Sequence, residues 1–148
     1  MSKKVRKAVR TFLIENDKII AIKYKTGINN GYYDIPGGKI EENESSYNAS
    51  TREFKEETGI EIINQKYNGK VIIEYPKRIF DIDIYIVHDY NGNPLDFEEN
   101  DSMWININDL FGLDKKFSTI EIIKYLYKEN INLKIVSNEN HNVVKIEK

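Results

Sequence analysis

The sequence predicts one α+β domain, an expectation that rests on three observations. Segments of alternating apolar and polar residues flank the centre of the chain, and a glycine-fed helix rich in glutamate stands between them. The third is size: at 148 residues, a single compact domain over residues 1–148 is expected, because a chain of this length removes about 70% of its unfolded surface from water. The 40% apolar and 31% charged content fits a folded core with a well-solvated surface.

Residues 5–14 place Val5, Val9 and Leu13 at even spacing among charged neighbours, Glu15-Asn16-Asp17 are turn formers, and 18–24 is apolar again. That pattern predicts a β-hairpin. Residues 26–31 read as a loop, expected to reach over whatever Gly37 touches, and Tyr32 to Ile35 are extended because Pro36 disfavours helix before it. Gly37-Gly38 permits close backbone approach to a ligand. Asn43, Ser45 and Ser46 offer N-caps for a helix whose apolar stripe is Tyr47, Ala49, Ser50 and Phe54, and Gly59 is a natural left-handed stop. Extended residues 60–63, a polar stretch at 64–69 and a strand at 70–75 follow, ended by Pro76. Residues 79–87 alternate most cleanly, with Ile82, Ile84 and Ile86 on one face and Asp81, Asp83 and Tyr85 on the other. After a turn at 89–94 and an acidic loop at 97–101 come a strand at 103–107, a short helical turn from Asn108 to Leu113, an amphipathic helix at 118–129, and extended runs at 133–136 and 143–146.

Composition removes several kinds of chemistry. The chain has no cysteine, so disulfides, thiolate metal sites and cysteine nucleophiles are out. With two histidines, His88 and His141, a metal site of any size is built from carboxylates, which select hard cations such as Mg²⁺ or Mn²⁺. A net charge of −2 argues against a stable nucleic-acid complex and leaves small anionic substrates open. No run approaches the ~18 apolar residues of a membrane span, so a cytoplasmic protein without a membrane partner is the expectation.

On the central helix Glu53, Glu56 and Glu57 share one face. Like charges this close repel, and a divalent cation among them reverses the sign of that interaction. Arg52 lies four residues before Glu56 and eight after Glu44, where its planar fork could hold either carboxylate. Taken alone, the glutamates would also suit a solvated helix face laced with ion pairs.

The ordered string of Gly38, Glu44, Arg52, Glu53, Phe54, Glu56, Glu57, Gly59 and Ile60 resembles the Nudix box, covering residues 38–60, and meets each of its specified positions. The entry sequence from Pro36 to Glu41 is similar to MutT-type members. The resemblance implies an αβα sandwich with a mixed β-sheet between helices, extending over roughly residues 5–129, with 130–148 as a C-terminal extension. It also implies a Mg²⁺- or Mn²⁺-dependent pyrophosphohydrolase. The substrate would be a nucleoside triphosphate, an oxidised one among the candidates, giving a monophosphate and pyrophosphate.

By resemblance the catalytic residues are Glu53, Arg52 and Glu44. The metal would be held by Gly37 through its carbonyl, Glu53, Glu56, Glu57 and a later carboxylate, with Glu98 first and Glu99 and Asp101 behind it. Lys23, Lys39, Tyr33 and Asp83 are the candidate substrate contacts. The alternatives are an ADP-ribose or dinucleoside polyphosphate pyrophosphatase, favoured by Pro76 sixteen residues past the box, and a catalytically silent nucleotide-binding module. A silent module would be expected to have lost one of Glu53, Glu56 or Glu57, and all three are present. A monomer and a homodimer are both compatible with the sequence.

Overall fold

A computed structural model describes residues 2–148. Two sheets face each other, and the glutamate-rich helix wedges against both. The larger has six strands in the order β10-β9-β6-β7-β1-β5, formed by Lys4–Phe12 (β1), Gly37–Lys39 (β5), Glu61–Glu74 (β6), Arg78–Asn91 (β7), Ile131–Ser137 (β9) and Val143–Glu147 (β10). It is mixed: β1 runs parallel to β7 and β6 parallel to β9, while the other pairs are antiparallel. The smaller sheet joins Ile14–Glu15 (β2), Lys18–Tyr24 (β3), Tyr33–Asp34 (β4) and Asn100–Asn106 (β8) around β3. Among the described residues no helix is long and apolar enough to cross a membrane.

The main core fills the space between the sheets, with Ala8 and Phe12 from β1, Ile19 and Ala21 from β3, Ile82 and Ile84 from β7, and Ile73 from β6. Ile82 and Ile84 lie inward as their alternation predicts. A second cluster, Leu13, Ile20, Phe54, Ile60, Ile62 and Val87 with Trp104 against it, seats the helix. Phe54 is fully buried, which contributes about 2–3 kcal/mol relative to an exposed ring.

Helix α1 spans Ser46–Thr58, with the Ser45 side chain accepting from the Asn48 N–H as N-cap and Gly59 at φ 78° as the left-handed stop. Both ends match the sequence expectation. Its rotation is fixed by buried polar contacts: Thr11 Oγ1 and Ser50 Oγ are 2.6 Å apart, Ser50 Oγ donates to Gln65 Oε1 at 2.7 Å, and Ser46 Oγ lies 2.6 Å from Tyr85 Oη. With Ala49, Ser50 and Phe54 turned inward, the glutamates face β5.

Four local expectations change. The N-terminal hairpin exists only at its tip, where Ile14 pairs with Ile19; β1 itself leaves for the other sheet and pairs with β7 from Lys4 to Phe12. Residues 64–69 do not break the strand, since β6 continues through them with bulges, and Gln65 and Asn68 are buried with partners. The helix expected at 118–129 is a 3-10 helix over Ser118–Tyr125. The loop at 26–31 folds on itself and packs beside Lys115, not over Gly37.

Candidate functional site

Two adjacent glycines press against two glutamates. The Gly37 N–H donates to Glu57 Oε1 at 2.7 Å, and a Cβ added at Gly38 would lie 2.6 Å from Cδ and Oε2 of Glu53. Only a residue without a side chain lets β5 come this near the helix. On the outer side, Arg52 makes a two-pronged contact with Glu44, Nε to Oε2 at 2.7 Å and NH2 to Oε1 at 2.9 Å. Its NH1 reaches Glu53 Oε1 at 2.8 Å and Glu56 Oε2 at 3.3 Å, and NH2 also donates to the Lys39 carbonyl at 3.1 Å. One guanidinium therefore ties the loop before the helix, the strand and the glutamate face together.

The electrostatics follow from this packing. Hydrogen bonds from Arg52, with the Glu41 N–H adding to them, hold the Glu44 carboxyl at about 2. Burial pushes Glu53 above the ordinary carboxylate range although Arg52 pulls the other way. Glu57 is pushed up to about 8, by burial first and with Asp34 and Glu53 adding to it, against the pull of Arg10 and the Gly37 N–H. Two carboxyls thus crowd together in a setting that penalises their charge.

Glu53, Glu56 and Glu57 share the face next to Gly37 and Gly38, but Glu56 is exposed. Among the described residues no three His, Asp or Glu side chains converge as a ready-made metal cage. An oxygen-only donor set on an open face fits a hard cation that keeps waters and takes one or two carboxylates plus a substrate's oxygens. Glu98 and Glu99 are exposed in the loop before β8; that loop is fastened to the end of α1 by Asn100 Nδ2 donating to the Glu57 carbonyl at 2.9 Å. Asp101 pairs with Lys25 at 2.7 Å.

The candidate substrate contacts scatter. Lys39 is exposed on β5 beside the site. Lys23 sits over the Tyr33 ring at 5.6 Å, and Tyr33 packs on the main core. Asp83 is held with Asp81 by Lys70, at 3.0 and 2.7 Å, on the outer face of the sheet.

Nothing in the sequence singles out Arg10 or Asp34. Arg10 faces away from α1, opposite Gly37 in register, and its NH1 donates to the Ile35 carbonyl at 3.1 Å. Fully buried Asp34 accepts from Tyr24 Oη at 2.7 Å, from the Ile35 N–H at 2.7 Å and from Thr119 Oγ1, with Arg10 NH2 at 3.5 Å. The alternation of Val5, Val9 and Leu13 sets Arg10 on the opposite, charged face, and the structure turns that face inward with Ala8 and Phe12.

Residues 4–126 match the NUDIX domain family model. An 8-oxo-dGTP diphosphatase of Haemophilus influenzae is 32% identical over 72 residues, covering 49% of this chain and 53% of that protein, so the match spans about half the relative's length. An uncharacterized Nudix hydrolase of Bacillus subtilis, YvcI, is 28% identical over 130 residues, 84% of this chain and 80% of the relative. The fold is similar to that of a MutT protein from Bacillus halodurans, with TM-score 0.77, 17% identity and 96% of each chain covered.

Proposed function

The chain belongs to the Nudix family, and from that premise we propose that it is a Mg²⁺- or Mn²⁺-dependent pyrophosphohydrolase acting on a nucleoside triphosphate. Water attacks phosphorus, one P–O–P bond breaks, and a nucleoside monophosphate and pyrophosphate leave. The observation that carries this reading is the pressing of the Glu53 and Glu57 carboxyls against Gly38 and Gly37, with Arg52 braced behind them. Crowded, partly buried carboxyls gain stability when a divalent ion shares them, and the oxygen-only donors suit that ion.

Glu53, Glu56, Glu57 and the Gly37 carbonyl would hold the metal, with Glu98 as the candidate from the loop before β8. A bound divalent ion would neutralise the phosphates and make water a better nucleophile. Glu53 accepts the proton of the attacking water, and Arg52 fixes its orientation while pinning Glu44 to the Lys39 backbone. Lys39, exposed next to the glycines, pairs with phosphate oxygens; Lys23, Tyr33 and Asp83 remain candidates for the rest of the nucleotide.

The relative named an 8-oxo-dGTP diphosphatase supports including oxidised guanine nucleotides among the substrates. Against selectivity for them, residues 117–119 are Phe-Ser-Thr, without the asparagine near the last helix with which the MutT-type members that the chain resembles read oxidised guanine, and the Thr119 hydroxyl is already engaged by Asp34. The deciding experiment is a product screen with Mg²⁺ over the nucleoside triphosphates, 8-oxo-dGTP, ADP-ribose and diadenosine polyphosphates. Pyrophosphate with a monophosphate is the expected pair. AMP with ribose phosphate would replace the triphosphate by ADP-ribose, and no turnover of any compound would favour the silent binding module.

Arg52→Lys gives a further check. Lysine keeps the charge but cannot grip Glu44 with two prongs while reaching Glu53 and the Lys39 carbonyl. A loss of about 10–100-fold in kcat/KM is expected, with an unchanged melting temperature. Wild-type kinetics in that variant would make the arginine a surface ion pair only.

A further inference from the structure

A cavity of about 40 Å³ lies on the face of β1 opposite α1, with Arg10, Ile73, Tyr75, Phe80, Phe117 and His141 among its walls. It holds water but not a heterocyclic ring. Arg10 brings to it a buried Nε–H with no hydrogen-bond partner, the one such side-chain polar atom among the described residues. In interiors where nearly every buried polar group is paired, an orphaned donor facing a cavity marks a place for an acceptor.

The last hairpin supplies one wall of the cavity. His141, in the turn between β9 and β10, lies flat on Phe117 with ring centroids 3.8 Å apart and planes at 21°. Tyr75 and Tyr32 meet the same imidazole edge-on at 5.3 and 5.5 Å, and Tyr75 Oη lies 2.9 Å from Nδ1. Burial holds the imidazole below its ordinary pKa, so it stacks as a neutral ring. A neutral, planar nitrogen heterocycle stacked on Phe and hydrogen-bonded at its edge has the chemistry of a bound nucleobase. The hairpin that supplies it lies beyond residue 126, where the family match ends.

We propose that His141 stands in for the base of the nucleotide substrate, so that the β9–β10 turn competes with substrate for Phe117 and sets its affinity. The inference rests on the nucleotide reading above. Arg10 links the two places: it lines the cavity and pairs in register with Gly37, whose N–H donates to Glu57. An acceptor on the incoming ring would satisfy the Arg10 Nε–H.

The turn holds its own shape. Asn138 Oδ1 accepts from the Asn140 and Asn142 N–H groups at 2.9 and 3.0 Å, which keeps the turn's shape internal. Beyond the stacking, it is tied to the body by Ser118 Oγ donating to the His141 carbonyl at 3.1 Å, by the contact between the Ser118 and Ser137 hydroxyls, and by Tyr75. His141 has φ 63°, in the left-handed region.

The test uses the whole 148-residue chain, which has two histidines. Over Phe117 the His141 ring protons should resonate upfield of those of exposed His88 in the NMR spectrum. Saturating nucleoside monophosphate should move them to the solvent position, while pyrophosphate, which has no base, should not. His141→Ala should lower KM for the triphosphate about tenfold at unchanged kcat, because the competing occupant is gone. Tyr75→Phe, which removes one tether and keeps the ring, should move KM the same way by less.

A raised KM in His141→Ala would make the histidine a wall that contacts the base, and overturn the proposal. So would His141 signals unmoved at saturating nucleotide while turnover proceeds, which leaves the hydrolase reading standing. Signals that move without any turnover would support the displacement and reject the hydrolase; unmoved signals without turnover would overturn both. Should His141→Ala fail to fold, the wild-type titration and Tyr75→Phe decide.

Discussion

Replacing Glu53 by Gln is expected to lower kcat by roughly 10²–10⁴-fold in a variant that keeps its fold. Gln has the same volume, and its amide oxygen can still accept from Arg52 NH1, which lies 2.8 Å from Glu53 Oε1 in the wild type. What is lost is the ability to take a proton and to carry charge. Burial raises the Glu53 pKa above that of a solvated carboxylate, the direction that favours a base. Glu56, exposed and 3.3 Å from Arg52, should cost less when changed to Gln. A Mg²⁺ titration separates the two jobs assigned to this face. If Glu53 acts on water, high Mg²⁺ does not restore kcat in Glu53→Gln; if it serves mainly as a metal ligand, part of the activity returns. Wild-type kcat in the variant would remove Glu53 from the reaction altogether.

Helix α1 and its glutamate face were legible in the sequence because everything that makes them is local. Ser45 caps Asn48 three residues on, Gly59 ends the helix, and the contacts of Arg52 to Glu44, Glu53 and Glu56 span at most eight residues. Features whose cause lies far along the chain could not be read the same way. Residues 64–69 are polar, yet they stay in strand because Asn68 donates to the Lys128 carbonyl and Gly69 pairs with Ile131, partners about sixty residues away. The N-terminal segment alternates as a hairpin should, but β1 finds its longest pairing with β7, more than seventy residues later. His141 sits in a stretch of Asn and Glu that looks like a solvated tail, and only the path of β9 alongside β6 brings it onto Phe117. Arg10 shows the same limit: it alternates with Val9 on a face that reads as charged, and its partner Asp34 is reached through a separate sheet.

Gly37→Ala and Gly38→Ala are expected to fail in different ways, although the residues are adjacent. At Gly37 an added Cβ would lie 2.0 Å from the Val9 carbonyl oxygen and 2.9 Å from Val9 C. That backbone belongs to β1, which is hydrogen-bonded to β5 on one side and β7 on the other, so it cannot move without dismantling both ladders. Overpacking of this kind should cost on the order of 3 kcal/mol, or a fall in Tm of ~6–12 °C for a chain of this size. At Gly38 the obstruction is the Glu53 carboxylate, whose Cδ and Oε2 are both 2.6 Å from the added carbon. A carboxylate at the end of a flexible side chain can swing away, so the fold should survive with Tm near wild type. The displaced group then no longer lies where Arg52 aims it, and a shift of about 1 Å can lower kcat by roughly 10²-fold. Thermal denaturation and steady-state kinetics on the pair should therefore give opposite profiles, stability lost at residue 37 and turnover at 38. Equal loss of stability in both variants would mean that Glu53 is locked rather than poised. The close approach of β5 to the helix would then serve packing, and the glutamate face would owe its arrangement to Arg52 alone.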